Sequence, residues 1–150
     1  MQNIHIRAFK SEDHTQLHRL LELNIPQYFA ETELEDFKEY LNNEVEDYFI
    51  VEIDQEIVGS GGINYDKENN IAKISWDVIH PVFQGRGIGK MLLQYRIDHI
   101  KKYNPDLKIT VRTSQIVYKF YDKNGFKLIA KHKDFWAEGY DMYKMIYEQD

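Results

Sequence analysis

The sequence contains no cysteine. This absence excludes disulfide bonds, thiolate metal ligands and a cysteine nucleophile. No apolar run approaches the ~20 residues that a membrane-spanning helix needs. The first ten residues, MQNIHIRAFK, lack the charged-then-apolar layout of a secretory signal. We therefore expect a cytoplasmic protein without a membrane partner.

The sequence also lacks any segment that would divide it. No repeat, low-complexity tract or linker rich in proline, glycine and serine interrupts the 150 residues. Apolar residues make up 43% of the chain, which is enough for one ordinary hydrophobic core. We therefore predict a single domain over residues 1–150.

The charge of the chain is unevenly distributed. The net charge of −6 argues against nucleic acid as a partner. Residues 1–75 carry 16 acids and 6 bases, whereas residues 76–150 carry 9 acids and 13 bases. From Glu31 to Glu56, eleven carboxylates accompany only Lys38. Two interpretations stay open: a solvated helix face with turns, or a site for a cation that lies opposite an anion site near the glycines.

The hydrophobic pattern predicts the element order β-α-α-β-β-β-α-β-α-β-β, an α/β arrangement with a mixed sheet. Thr32 and Glu35 have the spacing of a capping box at the start of the second helix. Gly125 follows the last helix, where a left-handed cap is expected. The stretch GSGG at 59–62, inside a predicted strand, indicates a bulge or a close backbone approach.

The stretch QGRGIGK, residues 84–90, places three glycines and two cations directly before a predicted helix. A Walker loop fails on the position of its first glycine and on Met91, which replaces the metal-binding hydroxyl. A dinucleotide loop fails because the glycines are spaced G-x-G-x-G. Two readings are left: a turn without a ligand, and an anion cradle in which glycines admit the backbone and the helix start attracts negative charge.

The stretch VIHPVFQGRGIGKMLL resembles the coenzyme A motif of the GNAT superfamily of N-acetyltransferases, with Gln84, Gly87 and Gly89 in its defining positions. One helix and one strand later, YKFYDKNGFKL resembles the later motif of that family, through Tyr121 and Gly125 among others. The resemblance implies the GNAT fold. This is a central mixed, mostly antiparallel sheet of about six to seven strands flanked by about four helices.

The resemblance also implies acetyl-CoA as cosubstrate and no metal. It assigns cofactor contacts to the strand before the glycines, to the glycine loop and to one later position. These residues are Val78, Ile79, Gln84, Gly85, Arg86, Gly87, Ile88, Gly89, Lys90 and Ser114. Many members of the family have an asparagine where this chain has Ser114. His14 and His18 are four residues apart, but the sequence offers no third ligand, and we predict no metal site.

The resemblance implies an acyltransferase in which a bound primary amine attacks the thioester directly. Tyr121 would give a proton to the sulfur of coenzyme A, because a phenol with an ordinary pKa of about 10 is protonated at neutral pH. Asp77 is the candidate base, and strand alternation predicts that it shares a face with Ser75 and Ile79. A backbone N–H near Val78 or Ile79 would stabilise the oxyanion.

The acceptor amine has no motif in this sequence. A cationic small molecule and a protein amine both stay open, and so does a homodimer. The alternative function is a catalytically silent module that binds coenzyme A as a sensor or interaction domain.

Overall fold

The structure is a computed structural model, and it describes residues 3–148. Its strands are β1 (Ile4–Ala8), β2 (Asp47–Ile53), β3 (Glu56–Asp66), β4 (Ile71–Ile79), β5 (Lys108–Thr113), β6 (Phe126–Ala137) and β7 (Tyr140–Tyr147). Its helices are α1 (His14–Glu22), α2 (Glu33–Asn43), α3 (Ile88–Tyr103) and α4 (Tyr118–Lys123), with short 3-10 turns at Ser11–Asp13 and Pro81–Phe83. Within residues 3–148, none of the helices is long and apolar enough to cross a membrane.

The strands form one seven-stranded sheet in the order β1-β2-β3-β4-β5-β7-β6. Every neighbouring pair is antiparallel except β4 and β5, which are parallel. Helix α3 connects these two parallel strands, as such a crossover requires. The predicted mixed, mostly antiparallel sheet with four helices is confirmed.

The parallel pair separates part of the way along its length. Pairing between β4 and β5 covers Ile71–Ile74 and Lys108–Val111 and then stops, although β4 continues to Ile79. Beyond that point β4 is paired to β3, and β5 is paired to β7. The two strands therefore leave a gap at the centre of the sheet, and the glycine loop follows β4 after one short 3-10 turn.

The sheet separates two hydrophobic clusters. One lies under α3 and α4, and its helical members include Leu92, Leu93, Ile97, Ile100 and Tyr121. The other lies under α1 and α2, and its helical members are Leu17, Leu20, Leu21, Phe37, Tyr40 and Leu41. Covering both faces in this way fixes the position of β4 from both sides, because its buried apolar side chains divide between the clusters, Ala72 and Ile74 in the first and Val78 in the second.

A β-bulge interrupts β4 just before the gap. Gly61 of β3 lies opposite two residues of β4, Trp76 and Asp77, and the backbone of Trp76 has a left-handed φ of 49°. The extra residue turns Asp77 towards α3, on the same face as Ile79, while Ser75 lies on the α2 face near Tyr40. The predicted alternation is therefore right for Ile79 and wrong for Ser75.

Gly61 also explains the glycine-rich stretch of β3. A Cβ atom at this position would lie 2.5 Å from Oδ1 of Asp77 and 2.9 Å from Cζ of Arg96. The close approach predicted for GSGG is confirmed, whereas the bulge lies in β4, opposite Gly61, and not within GSGG.

The two predicted helix caps have different outcomes. Gly125 has φ 95° directly after α4, which confirms the left-handed cap. The capping box of Thr32 and Glu35 is wrong, because Thr32 makes no side-chain cap bond. Glu33 instead stabilises the turn that precedes α2, because its Oε2 accepts the Ala30 N–H at 2.7 Å.

We expect Gly61→Ala to lower the free energy of unfolding by about 1–3 kcal/mol, the usual cost of overpacking a filled interior. Gly59→Ala is the matched control on the same strand, because the nearest atom to its Cβ would be the terminal carbon of the Ile79 side chain, at 3.0 Å, and its other neighbours lie at ordinary contact distance. Urea denaturation of both variants measures the difference. Equal destabilisation at the two positions would contradict the close approach at Gly61.

Candidate active site

The glycine loop joins the end of β4 to the start of α3. His80 accepts the Val82 N–H on Nδ1 at 3.1 Å and so caps the short turn. Gly85 and Gly87 then take left-handed φ values of 77° and 85°, and α3 begins at Ile88. Glycine is the residue that adopts this conformation without steric cost, so the loop needs glycine at both positions.

The open side of this loop has the properties of an anion site. A Cβ added at Gly85 or Gly87 would meet nothing within 4 Å, so the backbone there is accessible to a ligand. The first N–H groups of α3 have no acceptor within the helix, and the helix dipole favours negative charge at this end. Lys90 and Lys123 add positive charge at the rim of the same cleft.

Gln84 ties this loop to two other parts of the chain. Its Nε2 donates to the Ile79 carbonyl at 3.3 Å and to Oδ1 of Asn24 at 3.2 Å. Asn24 is itself buried and holds the end of α1, because its Nδ2 donates to the Leu20 carbonyl at 2.9 Å. The Gln84 side chain therefore braces the loop.

Val78 and Ile79 direct their backbones differently. The His80 N–H donates to the Val58 carbonyl of β3. Because alternate residues of an antiparallel strand bond to the same neighbouring strand, Val78 and His80 both direct their backbone N–H and carbonyl groups towards β3. Ile79 turns its N–H and carbonyl away from β3, to the side where β5 has separated, and Nε2 of Gln84 already donates to that carbonyl. Of the two residues, Ile79 is therefore the one whose N–H is directed at a ligand in the gap.

Ser114 lies on the other side of the gap, just after β5. It is buried, and its hydroxyl accepts the Ile116 N–H at 3.2 Å while its carbonyl accepts the N–H groups of Val117 and Tyr118. These bonds shape the chain where it enters α4. Ser114 therefore lines the cleft and also orients the helix that carries Tyr121.

Tyr121 and Asp77 are in direct contact in the cleft. The Tyr121 hydroxyl donates a short hydrogen bond to Oδ2 of Asp77. The other carboxylate oxygen, Oδ1, lies 2.5 Å from Nη2 of the fully buried Arg96. The structure therefore brings together the two predicted catalytic residues, and it adds an arginine that the sequence analysis did not identify.

The electrostatics of this group keep the phenol protonated. Burial is the largest cause that raises the pKa of Tyr121 well above its ordinary value of 10, and the Asp77 charge adds to it. The Arg96 charge acts in the opposite direction. At neutral pH Tyr121 is thus a neutral hydrogen-bond donor.

The far end of the cleft is aromatic. The Phe29 and Trp76 rings stack with their centroids 6.1 Å apart and form an aromatic wall, to which Trp76 belongs although its backbone lies in the β-bulge. Trp136 donates from Nε1 to the Thr113 carbonyl, and the Tyr140 hydroxyl donates to the Pro26 carbonyl. These rings and the gap belong to one continuous cleft of about 940 Å³.

Glu33 places a buried carboxylate in this cleft. Its side chain lies at the start of α2 and the residue is 6% exposed. Burial raises its pKa from the ordinary 4.5 to about 7, against the effect of the Ala30 N–H, which lowers it. Glu33 is therefore a carboxylate whose protonation changes near neutral pH.

The structure gathers most of the predicted site residues in this cleft. Its lining includes Asp77, Ile79, Gln84, Gly85, Gly87, Gly89, Lys90, Ser114 and Tyr121. Three predicted cofactor residues lie outside its lining: Val78 and Ile88 are in the hydrophobic clusters, and Arg86 packs its guanidinium over Phe83.

The sequence analysis missed two buried charged residues, and a signal for each was present. Arg96 lies on the apolar stripe of α3, between Leu92 and Ile100 at helical spacing. Glu33 likewise precedes Phe37 by four residues on the buried face of α2. A charged residue on an apolar stripe is rare unless it has a partner, and this pattern could have identified both.

His14 and His18 pack ring against ring, with their centroids 6.0 Å apart. In the part of the chain that the structure describes, no group of three or more His, Cys, Asp and Glu residues could hold a metal.

We expect Glu33→Gln to change how stability depends on pH. The pKa of Glu33 is raised in the folded protein, so between pH 4.5 and about 7 the folded state holds a proton there that the unfolded state has lost. The stabilisation that comes from the protonated form is therefore lost as the pH rises through that window. Glutamine keeps an acceptor for the Ala30 N–H and does not ionise. The melting temperature of the variant should therefore match the wild type near pH 4.5 and exceed it at pH 8. Parallel melting curves across this range would contradict the raised pKa.

Comparison with known proteins agrees with the geometry. A family model described as an acetyltransferase (GNAT) domain matches residues 15–149, nearly the whole chain. Similar solved structures include an aminoglycoside 6'-N-acetyltransferase in complex with coenzyme A, with a TM-score of 0.76, 16% identity and coverage of 97% of this chain and 99% of that one.

Two further structures have the same fold. The ribosomal-protein-S18-alanine N-acetyltransferase of Escherichia coli has a TM-score of 0.78 and 12% identity, over 99% of this chain and 96% of that one. A spermidine/spermine N-acetyltransferase of Vibrio cholerae has a TM-score of 0.70 and 19% identity, over 95% and 91%. At such identities the likeness shows the fold, and the family model shows the family. The predicted family, fold and acetyl-CoA cosubstrate are confirmed: the chain belongs to the GNAT acetyltransferase family.

Proposed function

We propose that the protein transfers the acetyl group of acetyl-CoA to a primary amine, by direct attack of the amine while both substrates are bound. The observation that carries the proposal is one cleft that holds an anion cradle at one end, a protonated tyrosine at its centre and an aromatic wall with a buried carboxylate at the other. A shared cleft suits a reaction in which positioning of two substrates supplies much of the rate.

The residues at the gap fit coenzyme A. The unobstructed backbone at Gly85 and Gly87, the start of α3 and the charge of Lys90 would hold the pyrophosphate. The Ile79 backbone would bind the pantetheine arm, and Ser114 would contact the cofactor from the other side. When bound, acetyl-CoA supplies the acetyl group as an activated thioester.

Tyr121 would protonate the thiolate that leaves. Its hydroxyl is neutral at working pH and lies in the cleft. To reach the sulfur, the hydroxyl turns its proton away from Asp77, with which it is bonded in this structure. The Ile79 N–H, which faces the gap, is the donor that would stabilise negative charge on the carbonyl oxygen.

Two carboxylates are candidates for removing a proton from the amine. Asp77 has both oxygens engaged, one by Arg96 and one by Tyr121, so as a base it would have to give up a contact. Glu33 has a pKa of about 7, which suits proton acceptance near neutral pH. Asp77 stays the predicted base, and Glu33 is the second candidate at the acceptor end.

The acceptor end favours a cationic small molecule. Aromatic faces attract cations, and a carboxylate such as Glu33 adds a counter-charge. Phe29 and Trp76 supply the faces, and Glu33 begins α2 within the acidic segment 31–56. A protein amine would need the same pocket to admit a lysine side chain or an N-terminus.

A catalytically silent coenzyme A sensor is the alternative. It would keep the cradle and would have no use for a tyrosine held protonated in the cleft. We also expect a cytoplasmic location, and a homodimer stays open.

We expect the purified protein to release the coenzyme A thiol faster than background hydrolysis when acetyl-CoA meets a suitable member of a broad amine panel, with the acetylated product identified by mass spectrometry. Tyr121→Phe should lower kcat by about 10²-fold or more, the scale of a lost proton transfer, while the affinity for coenzyme A changes little. No turnover with any amine, together with a raised melting temperature on adding coenzyme A, would favour the sensor. Unchanged turnover in Tyr121→Phe would exclude the tyrosine from the reaction.

We expect Gly87→Val to abolish binding of coenzyme A, because a branched side chain would block the backbone of the cradle. Gly139→Val is the matched control. Gly139 has φ 83° against 85° for Gly87, and a Cβ at either position meets nothing within 4 Å, so the backbone strain is alike. Calorimetric titration with coenzyme A compares the two variants, and equal affinities would contradict the cradle.

A further inference from the structure

Arg96 is a fully buried arginine in the middle of an apolar helix stripe. Its guanidinium makes three contacts: Nε donates to the Leu92 carbonyl at 3.3 Å, Nη1 donates to the Gly62 carbonyl at 3.0 Å, and Nη2 pairs with Asp77 at 2.5 Å. Two of these partners are backbone carbonyls, and they fix the orientation of the planar, forked guanidinium group. The third is the carboxylate that accepts the Tyr121 hydroxyl.

Stability alone is a weak reason for this arrangement. The desolvation of a buried ion pair offsets much of its attraction, and an apolar side chain often fills such a place equally well. The pair also excludes any side chain from position 61, since a Cβ there would meet both of its members. Its contact with a cleft residue points to a role in the site.

We propose that Arg96 is a positioning residue that acts through Asp77, holding that carboxylate in one orientation so that the Tyr121 hydroxyl has one defined place in the cleft. The inference rests on the proposed function, because it takes Tyr121 as the proton donor. The chain of contacts crosses three elements, from α3 through the bulge of β4 to α4. Each link is a polar contact with little or no solvent to compete for it, since Arg96 and Tyr121 are both buried.

The charge of Arg96 is essential to this role. The charged groups that act on the Tyr121 hydroxyl are Asp77 from β4 and Arg96 from α3. The neighbour from β6 is the apolar ring of Phe126, whose centroid lies 5.6 Å from that of the Tyr121 ring. Without Arg96, Oδ1 of Asp77 loses the guanidinium that holds it, and the carboxylate can rotate about its side-chain bonds. The Tyr121 hydroxyl, which donates to the other oxygen of that carboxylate, would then no longer have a single orientation.

The decisive experiment is a double-mutant cycle between Arg96→Met and Tyr121→Phe, measured as kcat and as KM for acetyl-CoA. If Arg96 acts by placing the hydroxyl, Arg96→Met lowers kcat at least about tenfold in the wild-type background and less than about twofold in the Tyr121→Phe background, with KM within about threefold in both. A merely structural role lowers kcat equally in the two backgrounds and overturns the proposal. Arg19→Met makes the same substitution at an exposed arginine outside the cleft and should leave kcat unchanged.

A second readout does not depend on turnover. A tyrosine hydroxyl proton held by a carboxylate gives an NMR signal downfield of the amides, and its loss in Tyr121→Phe assigns it. The signal should persist in Arg19→Met and disappear or shift in Arg96→Met. Absence of the signal from the wild-type protein, or its unchanged persistence in Arg96→Met, would overturn the positioning role. This test is independent of turnover: a failure to acetylate any amine in the panel would count against the proposed function alone.

If Arg96→Met does not fold, Arg96→Lys takes its place in both experiments. Lysine keeps the charge and loses the fork that binds Gly62, Leu92 and Asp77 together. We expect a smaller fall in kcat that again vanishes in the Tyr121→Phe background. A fall of the same size in both backgrounds would overturn the proposal.

Discussion

The separation of β4 from β5 is the constraint on which the site depends. Two parallel strands that stop pairing after Ile74 and Val111 leave backbone groups at the centre of a sheet with no strand to bond. The glycine loop, Ser114 and the start of α4 all lie at this gap, and Ile79 turns its peptide groups into it. An extended ligand arm that bonds to one of these strand edges would partly replace the missing partner.

The β-bulge at Trp76 gives this gap its chemistry. One extra residue puts Trp76 on the face of α2, where it stacks with Phe29, and turns Asp77 to the opposite face, where it meets Arg96 and Tyr121. A single irregularity in β4 thus places neighbouring residues in two different parts of the cleft. The left-handed backbone of Trp76, φ 49°, is the local strain that this arrangement requires.

Much of this could be predicted from the sequence, because the elements have regular periods and the glycine motif has fixed spacing. The stripe of α3 and the cap at Gly125 follow from local pattern. The apolar stripes could have marked Arg96 and Glu33 as buried charges, but not their roles, because the partner of Arg96 lies 19 positions away on another element. The predicted face of Asp77 was right relative to Ile79 and wrong relative to Ser75, because strand alternation holds only as far as a bulge. Local sequence also could not show whether GSGG would lie at a bulge or only at a close approach, since that depends on which side chains pack against it.

The close approach at Gly61 restricts which residues can occur together at positions 61, 77 and 96 during evolution. A side chain at position 61 destabilises the fold while the ion pair beneath it is present, whereas the pair can be lost while glycine is present. Substitutions at 61, 77 and 96 therefore have a favoured order. Among relatives of this chain, a residue larger than glycine at the first position should accompany a shorter or uncharged pair at the other two.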